Sequence, residues 1–282
     1  MGPANANVGR RDHFRATLRR PGVITVLVLV PSLALLVGAA FGGASGAIAA
    51  PVAGFALILA AAWYAADRRA ETAFWTATAA SIGFEPFSEL GELQLTTPLL
   101  HAGDRRRFRH ELRGPLGELG LLAKLAHYRY DVRRESKTDK DGEGSWTEHR
   151  FTVCVVELEA GTGLFRGVYL RARRGLVARA NHDWLKHRRL RAVELESTDF
   201  NDAYELLVAN DQDDGRLREL FDPRTIVWLA EHPLCPHFEF RAGYLVVYVP
   251  GYLEDLGRVV WLLEAAERVA GRVQTEIAEA VA

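Results

Sequence analysis

Apolar and polar positions fall into three regimes along this chain. The first is a block from Pro21 to Ala66 without a charged residue, interrupted near its middle by the small residues GGASG. The runs on either side, Pro21 to Phe41 and Ala47 to Ala66, hold 21 and 20 residues. At about 1.5 Å rise per residue each spans roughly 30 Å as a helix, the thickness of a bilayer's hydrocarbon core. Neither run has a polar face to present to water, and the glycines between them favour a reversal. The block therefore predicts a transmembrane helical hairpin over residues 21–66. A secretory signal peptide fits less well, because its apolar region is only about 7 to 15 residues long. The Arg10–Arg11 pair lacks the hydrophobic spacing that follows a twin-arginine export signal.

The second regime, "DRRAETAFWTATAASIG" from Asp67 to Gly83, reads as a helical stalk that continues the second run and stops at Gly83 and Pro86. The third alternates with period two, the signature of strands. Ala126, Tyr128, Tyr130 and Val132 share one face of a first strand. After a polar loop, Phe151, Val153 and Val155 share one face of a second strand, with Thr152, Cys154 and Val156 on the other. "EAGTG" then turns the chain into "LFRGVYLRAR", giving an antiparallel meander. Further strands are expected in "RAVELES" and "AYELLVA", and short helices over Gly215 to Phe221 and Pro223 to Glu231, the second with proline in its first turn. "HFEFRAGYLVVYVPG" predicts a hairpin turning at Ala242 and Gly243. Last, Leu253, Leu256, Val260, Leu263, Ala270, Val273, Ile277 and Val281 recur at helical spacing and predict a long amphipathic helix.

The predicted fold class is α+β: an N-terminal two-helix transmembrane hairpin, then a cytosolic domain with a mainly antiparallel sheet and a long C-terminal amphipathic helix. A pleckstrin-like barrel shares the meander and final helix, but not the helical insert at 215–231. The expected segments are a basic arm at 1–20, the hairpin at 21–66, a stalk helix and linker at 67–88, and a soluble domain at 89–282.

Charge sets the expected orientation. Five arginines precede Pro21, and Arg68 and Arg69 follow Ala66, so both flanks of the hairpin belong on the cytoplasmic side. Trp63 and Tyr64 stand one turn before those arginines, at the expected headgroup level. The protein is thus expected in the cell membrane with two spans, both termini and the large domain cytoplasmic. Gly38, Gly42 and Gly46 repeat a small-residue spacing that lets helices pack closely within the membrane. Neither run contains an acid, a base or a histidine to carry a proton relay or transport role.

Motifs for specific chemistry are absent from the sequence. "GTGLFRG" has the wrong glycine spacing for a dinucleotide loop and reads as a hairpin turn. "GPLGELG" lacks the lysine and hydroxyl of a phosphate loop and reads as an irregular loop. "NDQDDG" places Phe221 where a calcium loop needs its glutamate, and fits better as a helix cap by Asp213 or Asp214. Cys235 and His237, with His232 nearby, are the best metal candidate, yet no second ligand pair completes four. The two cysteines cannot build a disulfide framework. The reading therefore assigns no catalytic, cofactor or metal residues.

Charge segregation remains. Arg105, Arg106, Arg107, Arg109 and Arg113 cluster around Phe108, and a second basic tract runs from Arg166 to Arg191. Residues 194–222 hold ten acids and two arginines. Two readings stay open: the basic tracts pair with the acidic one across the surface, or Arg105, Arg106, Arg107 and Arg109 meet anionic lipid headgroups of the inner leaflet. Net charge of −1 argues against a nucleic-acid partner. The functional expectation is a membrane-anchored interaction or regulatory domain, its partners the lipid bilayer and an unidentified protein. The alternative is a tethered enzyme, for instance a hydrolase, with Glu157, Glu194 and Asp199 as generic acids.

Three stretches, "LFRGVYLRARRG", "VELESTDFNDAYELLVANDQDD" and "LFDPRTIVWLAEHPLCPHFEFRAGYLVVYVPG", resemble an uncharacterised family of bacterial membrane-anchored proteins with a domain of unknown function. The resemblance covers roughly Leu164 to Gly251. It implies membrane placement and an α+β fold, and brings no catalytic residues with it.

Overall fold

The computed structural model describes residues 60–88, 90, 97–134, 145–173 and 189–281. The hairpin expectation therefore lies outside the described residues up to 59, as do Gly38, Gly42 and Gly46. Among the described residues no helix is long and apolar enough to cross a membrane. The chain divides into two compact units, Met1–Thr78 and Ala79–Ala282.

The described part of the first unit is helical. This helix, α1, covers residues 60–82 and ends at Gly83, whose φ of +73° is a conformation that glycine adopts without strain. Along it Trp63 and Tyr64 are exposed, and Arg68 folds back one turn to donate through Nη2 to Tyr64 Oη at 2.6 Å.

The second unit is built on a nine-stranded antiparallel sheet. Its strands are β1 (Glu85–Pro86), β2 (Arg105–Leu116), β3 (Leu121–Arg134), β4 (Ser145–Glu157), β5 (Val168–Ala172), β6 (Leu190–Val193), β7 (Tyr204–Ala209), β8 (His237–Arg241) and β9 (Tyr244–Pro250). Among the described residues their order is β1-β2-β3-β4-β9-β8-β5-β7-β6. The helices are α2 (Thr198–Ala203), α3 (Asp214–Leu220), α4 (Pro223–Glu231) and α5 (Leu256–Val281). The fold class is thus α+β with a large antiparallel sheet and a C-terminal helix.

The middle of the sheet is buried on both sides. Ala126, Tyr128, Tyr130, Phe151, Val153, Val155, Val246 and Tyr248 form one core with Leu90, Leu99, Leu100 and Ala102 from the segment before β2. Residues one position out of phase, Cys154, Val156, Leu245 and Val247, face the other way, toward the side where α5 packs over β4 and β9. Aromatic contacts tie the short helices to this second side: Phe221 stacks on Phe238 at 6.0 Å, and Phe200 meets Phe221 edge-on.

Local signals fix the helix starts. Asp213 Oδ1 accepts from the Arg216 N–H at 2.8 Å, so the aspartate run is a cap. Asp222 caps α4, with Pro223 in the first turn. Ala242 and Gly243, with φ of +51° and +79°, make the tight turn between β8 and β9.

Four expectations are corrected. "EAGTG" is not a hairpin turn: Glu159–Gly163 form a 3-10 turn, and β5 pairs with β7 and β8, leaving β9 beside β4. His237–Phe240 of β8 and Leu245–Val249 of β9 are buried on both faces, which suits a place at the centre of the sheet. "GPLGELG" is no irregular loop but the end of β2 and the tip of a hairpin, with Gly117 and Gly120 at positive φ. The long strand β2 was not expected at all. A register shift between Arg109 and Leu112 reverses which residues face which side, so no single period runs through it. Finally, the stripe of α5 is displaced by one residue in its first half: Val259 and Leu262 are fully buried, while Val260 and Leu263 are only partly so. The doublets Val259–Val260 and Leu262–Leu263 satisfy helical spacing either way, and packing on the sheet decides between them.

This register predicts an asymmetry. Leu262→Ala should cost about 2–5 kcal/mol of unfolding free energy in urea denaturation. Val260→Ala should cost about 1 kcal/mol or less. Equal costs would contradict the observed face.

Candidate functional site: an arginine face on β2, β3 and β4

Strand alternation splits the basic cluster. Arg105, Arg107 and Arg109 lie on one face of β2, and Arg106 and Phe108 on the other. Arg106 Nη1 donates to the His101 carbonyl at 3.2 Å, and Phe108 packs on Tyr128 at 4.9 Å. Arg106 therefore leaves the group in which the sequence placed it.

Antiparallel register extends the remaining face into rows. Arg105 stands opposite Asp131, which stands opposite Glu148; Arg107 is opposite Arg129, which is opposite Arg150; and Arg133 is opposite Trp146. The face thus carries six arginines against two acids. Those acids are engaged by the inner arginines. Arg129 reaches Glu148 at 2.7 Å and Asp131 at 3.2 Å, and Arg150 also contacts Glu148. Among the described residues Arg107 and Arg109 have no acidic partner. Arg105 lies 4.0 Å over the ring of Trp146, which is 43% exposed, and Arg150 lies 5.4 Å over Tyr252. Asp104 anchors the corner, accepting from the Arg133 N–H at 2.9 Å.

The second basic tract behaves differently. Arg166 pairs with Asp211 at 2.6 Å, Arg171 with Glu205 at 3.7 Å, and Arg191 with Asp214. Each partner belongs to the acidic stretch 194–222, while residues 174–188 lie outside the described residues. Among the described residues no β2 arginine pairs with that stretch, and β2 and β7 are six strands apart. At about 4.8 Å per strand that is roughly 29 Å.

Trp146, Arg129, Arg133, Arg150 and Tyr252 were missed in the sequence. The alternation Arg129, Asp131, Arg133 and Glu148, Arg150 would have found most of them, had both strands been extended into the polar loop.

The other candidates do not converge. His237 is buried; its Nδ1 accepts from the Ala172 N–H at 3.3 Å and its ring stacks on Tyr248 at 5.0 Å. His232 Nδ1 accepts from the Leu234 N–H, and Cys235 Sγ lies 3.6 Å from the His232 carbonyl oxygen. These contacts are turns and core packing, not a shared ligand set. Burial pushes the Cys154 thiol up to about 12, which leaves it unreactive. Glu157 pairs with Lys124 at 2.5 Å, and Glu194 and Asp199 are exposed beyond β6, five strands away.

The sheet and this face define a class: an α+β domain that bears, among its described residues, an exposed basic and aromatic surface. No protein-family model and no curated protein matches the chain, including the stretch Leu164 to Gly251. Among solved structures it is similar to the crystal structure of the mycobacterial trehalose monomycolate transport factor A, at 13% identity over 70% of this chain and 90% of that chain, with a TM-score of 0.42.

The buried histidine generates a prediction. Burial, with the Arg171 guanidinium nearby, pulls His237 down to about 4, against an ordinary value near 6.5. The unfolded chain therefore takes up the proton first. Stability from this group is complete above about pH 6.5 and is lost as pH falls toward 4, by about 3 kcal/mol. His237→Gln, whose amide oxygen can accept from Ala172, should flatten the stability profile between those limits. An unchanged slope would mean that His237 is protonated in the fold.

Proposed function

We propose that the protein is a membrane-tethered, cytosol-facing interaction domain whose β2–β4 arginine face rests on anionic lipid headgroups. The carrying observation is the contrast between two sets of arginines. Arg171 of β5 and Arg191 of β6 are matched to acids, whereas Arg107 and Arg109 have no acidic partner among the described residues and Arg105 lies over an exposed tryptophan. Tryptophan beside arginine suits the boundary between lipid and water, where one ring edge is apolar and the other wet. The uncharged block at 21–66 supports tethering, and Trp63, Tyr64 and Arg68 on α1 suit its cytoplasmic boundary.

A second reading has its own observation. β1 covers only Leu112 and Arg113, so the edge of β2 along Arg105–Arg109 is open among the described residues. Charges on such an edge discourage strand addition by another chain.

Vesicle binding by the isolated Ala79–Ala282 unit separates the two. On the lipid reading it binds anionic vesicles at low salt and releases them as salt rises. Replacing Arg105, Arg107 and Arg109 together by glutamine then removes about 1 kcal/mol each, roughly a hundredfold in affinity, without changing thermal stability. Arg106→Gln leaves binding nearly intact. On the edge-guard reading the parent binds no vesicles and the triple variant aggregates. Equal binding to neutral vesicles would sink the lipid reading. For placement, a cytosolic reporter fused after Ala282 should be active and a periplasmic one silent.

A further inference from the structure

Two histidines of the β2–β3 hairpin fall outside the lipid reading. His110 sits in the bulge of β2 with a φ of +53°, a left-handed conformation in which a residue with a Cβ is uncommon. Strained backbone of this kind clusters at functional sites. The ring it presents meets that of His127 edge-on, with centroids 5.7 Å apart. His127 is on the neighbouring strand and is fully buried. Ring nitrogens of the two lie within 4.8 Å of one another.

His127 is prepared as a ligand. Its Nε2 stands 3.3 Å from the Leu253 carbonyl oxygen, which can only accept, so Nε2 carries the proton and Nδ1 keeps the lone pair. A histidine that ligates a metal ion commonly donates its other N–H to a backbone carbonyl in this way, which fixes tautomer and ring plane. Tyr252 fixes the plane a second time, stacked on His127 at 4.1 Å with the rings only 6° from parallel.

We propose that His110 and His127 bind a divalent transition-metal ion of the zinc class, His127 through Nδ1. Tetrahedral zinc with ligand bonds of about 2.0–2.1 Å needs its two nitrogens roughly 3.4 Å apart. A small rotation of the half-exposed His110 ring supplies that approach. Two histidines do not complete the coordination of zinc, and further ligands must supply the rest.

The test uses the purified full-length chain, stripped with chelator and titrated with zinc against a chromogenic zinc indicator. The parent should withdraw about one zinc per chain. His110→Asn should weaken binding at least about tenfold. It should do so without lowering thermal stability, since asparagine tolerates left-handed backbone. His127→Gln should weaken it similarly, and His101→Gln not at all. If burying glutamine at position 127 unfolds the protein, the His110 variant decides alone. The proposal is overturned if the parent takes up no stoichiometric zinc, or if uptake survives His110→Asn.

Discussion

The structure depends on one constraint: β4 and β9 are apolar on both faces, so the sheet they centre must be covered twice. Val153 and Val155 point to one side, Cys154 and Val156 to the other, and Val246 and Val247 repeat the division across the strand pair. Covering the second side takes the 26 residues of α5 and the short helices. Covering the first takes Leu90 and residues 97–102, the latter forming neither helix nor strand, with Leu99 and Leu100 fully buried. An irregular segment brings backbone groups into a dry place, and these must be satisfied. Glu239, itself buried, accepts from the Leu99 N–H at 2.8 Å, and Tyr128 Oη donates to the Leu99 carbonyl at 3.1 Å. Glu239 and Tyr128, two polar groups in the interior of the sheet, thus have a structural role.

Where the cover stops, the faces become exposed surface. Beyond the reach of α5, the outer ends of β2, β3 and β4 still obey strand alternation, but the side chains that alternate are arginines, acids and one tryptophan. Their rows follow from register alone. Charge balance then varies sharply across a molecule that is nearly neutral overall. At the β5–β7–β6 edge Arg166, Arg171 and Arg191 meet acids of the 194–222 stretch, whereas at the β2 corner two acids serve three strands. Nearly neutral composition thus conceals a polar arrangement of charge, and only three-dimensional order brings it out.

Much of the fold was legible in the sequence. The period-two patterns of β3, β4, β8 and β9, the caps at Asp213 and Asp222, and the Ala242–Gly243 turn are local signals with local causes. What could not be read was non-local. Strand order is set by pairings between distant segments, β4 with β9 and β5 with β7 and β8, and nothing near "EAGTG" records them. The buried doublets of α5 are symmetric in hydrophobicity, so their register is set by the sheet they meet. Of the four arginines assigned together, Arg106 was misplaced because a cluster in sequence becomes two faces in a strand. Residues 21–59, on which the hairpin reading rests, lie outside the described residues.

The bulge at His110 links these levels. Without it, alternation set by Phe108 facing the core would continue, and Leu112 would fall on the side of Arg106 rather than of Arg109. One inserted residue lets β2 begin with its arginines on the outer face and end with Leu112 and Leu116 buried on that same side. The insertion places a histidine in left-handed backbone beside a buried histidine whose tautomer is already fixed. A strand that must change its facing halfway needs such a device, but it does not need histidine there. Asparagine or glycine would meet the backbone requirement at lower cost. The backbone constraint thus accounts for the bulge and leaves the choice of its side chain to chemistry, which is why the His110–His127 pair is read as a ligand set rather than as packing.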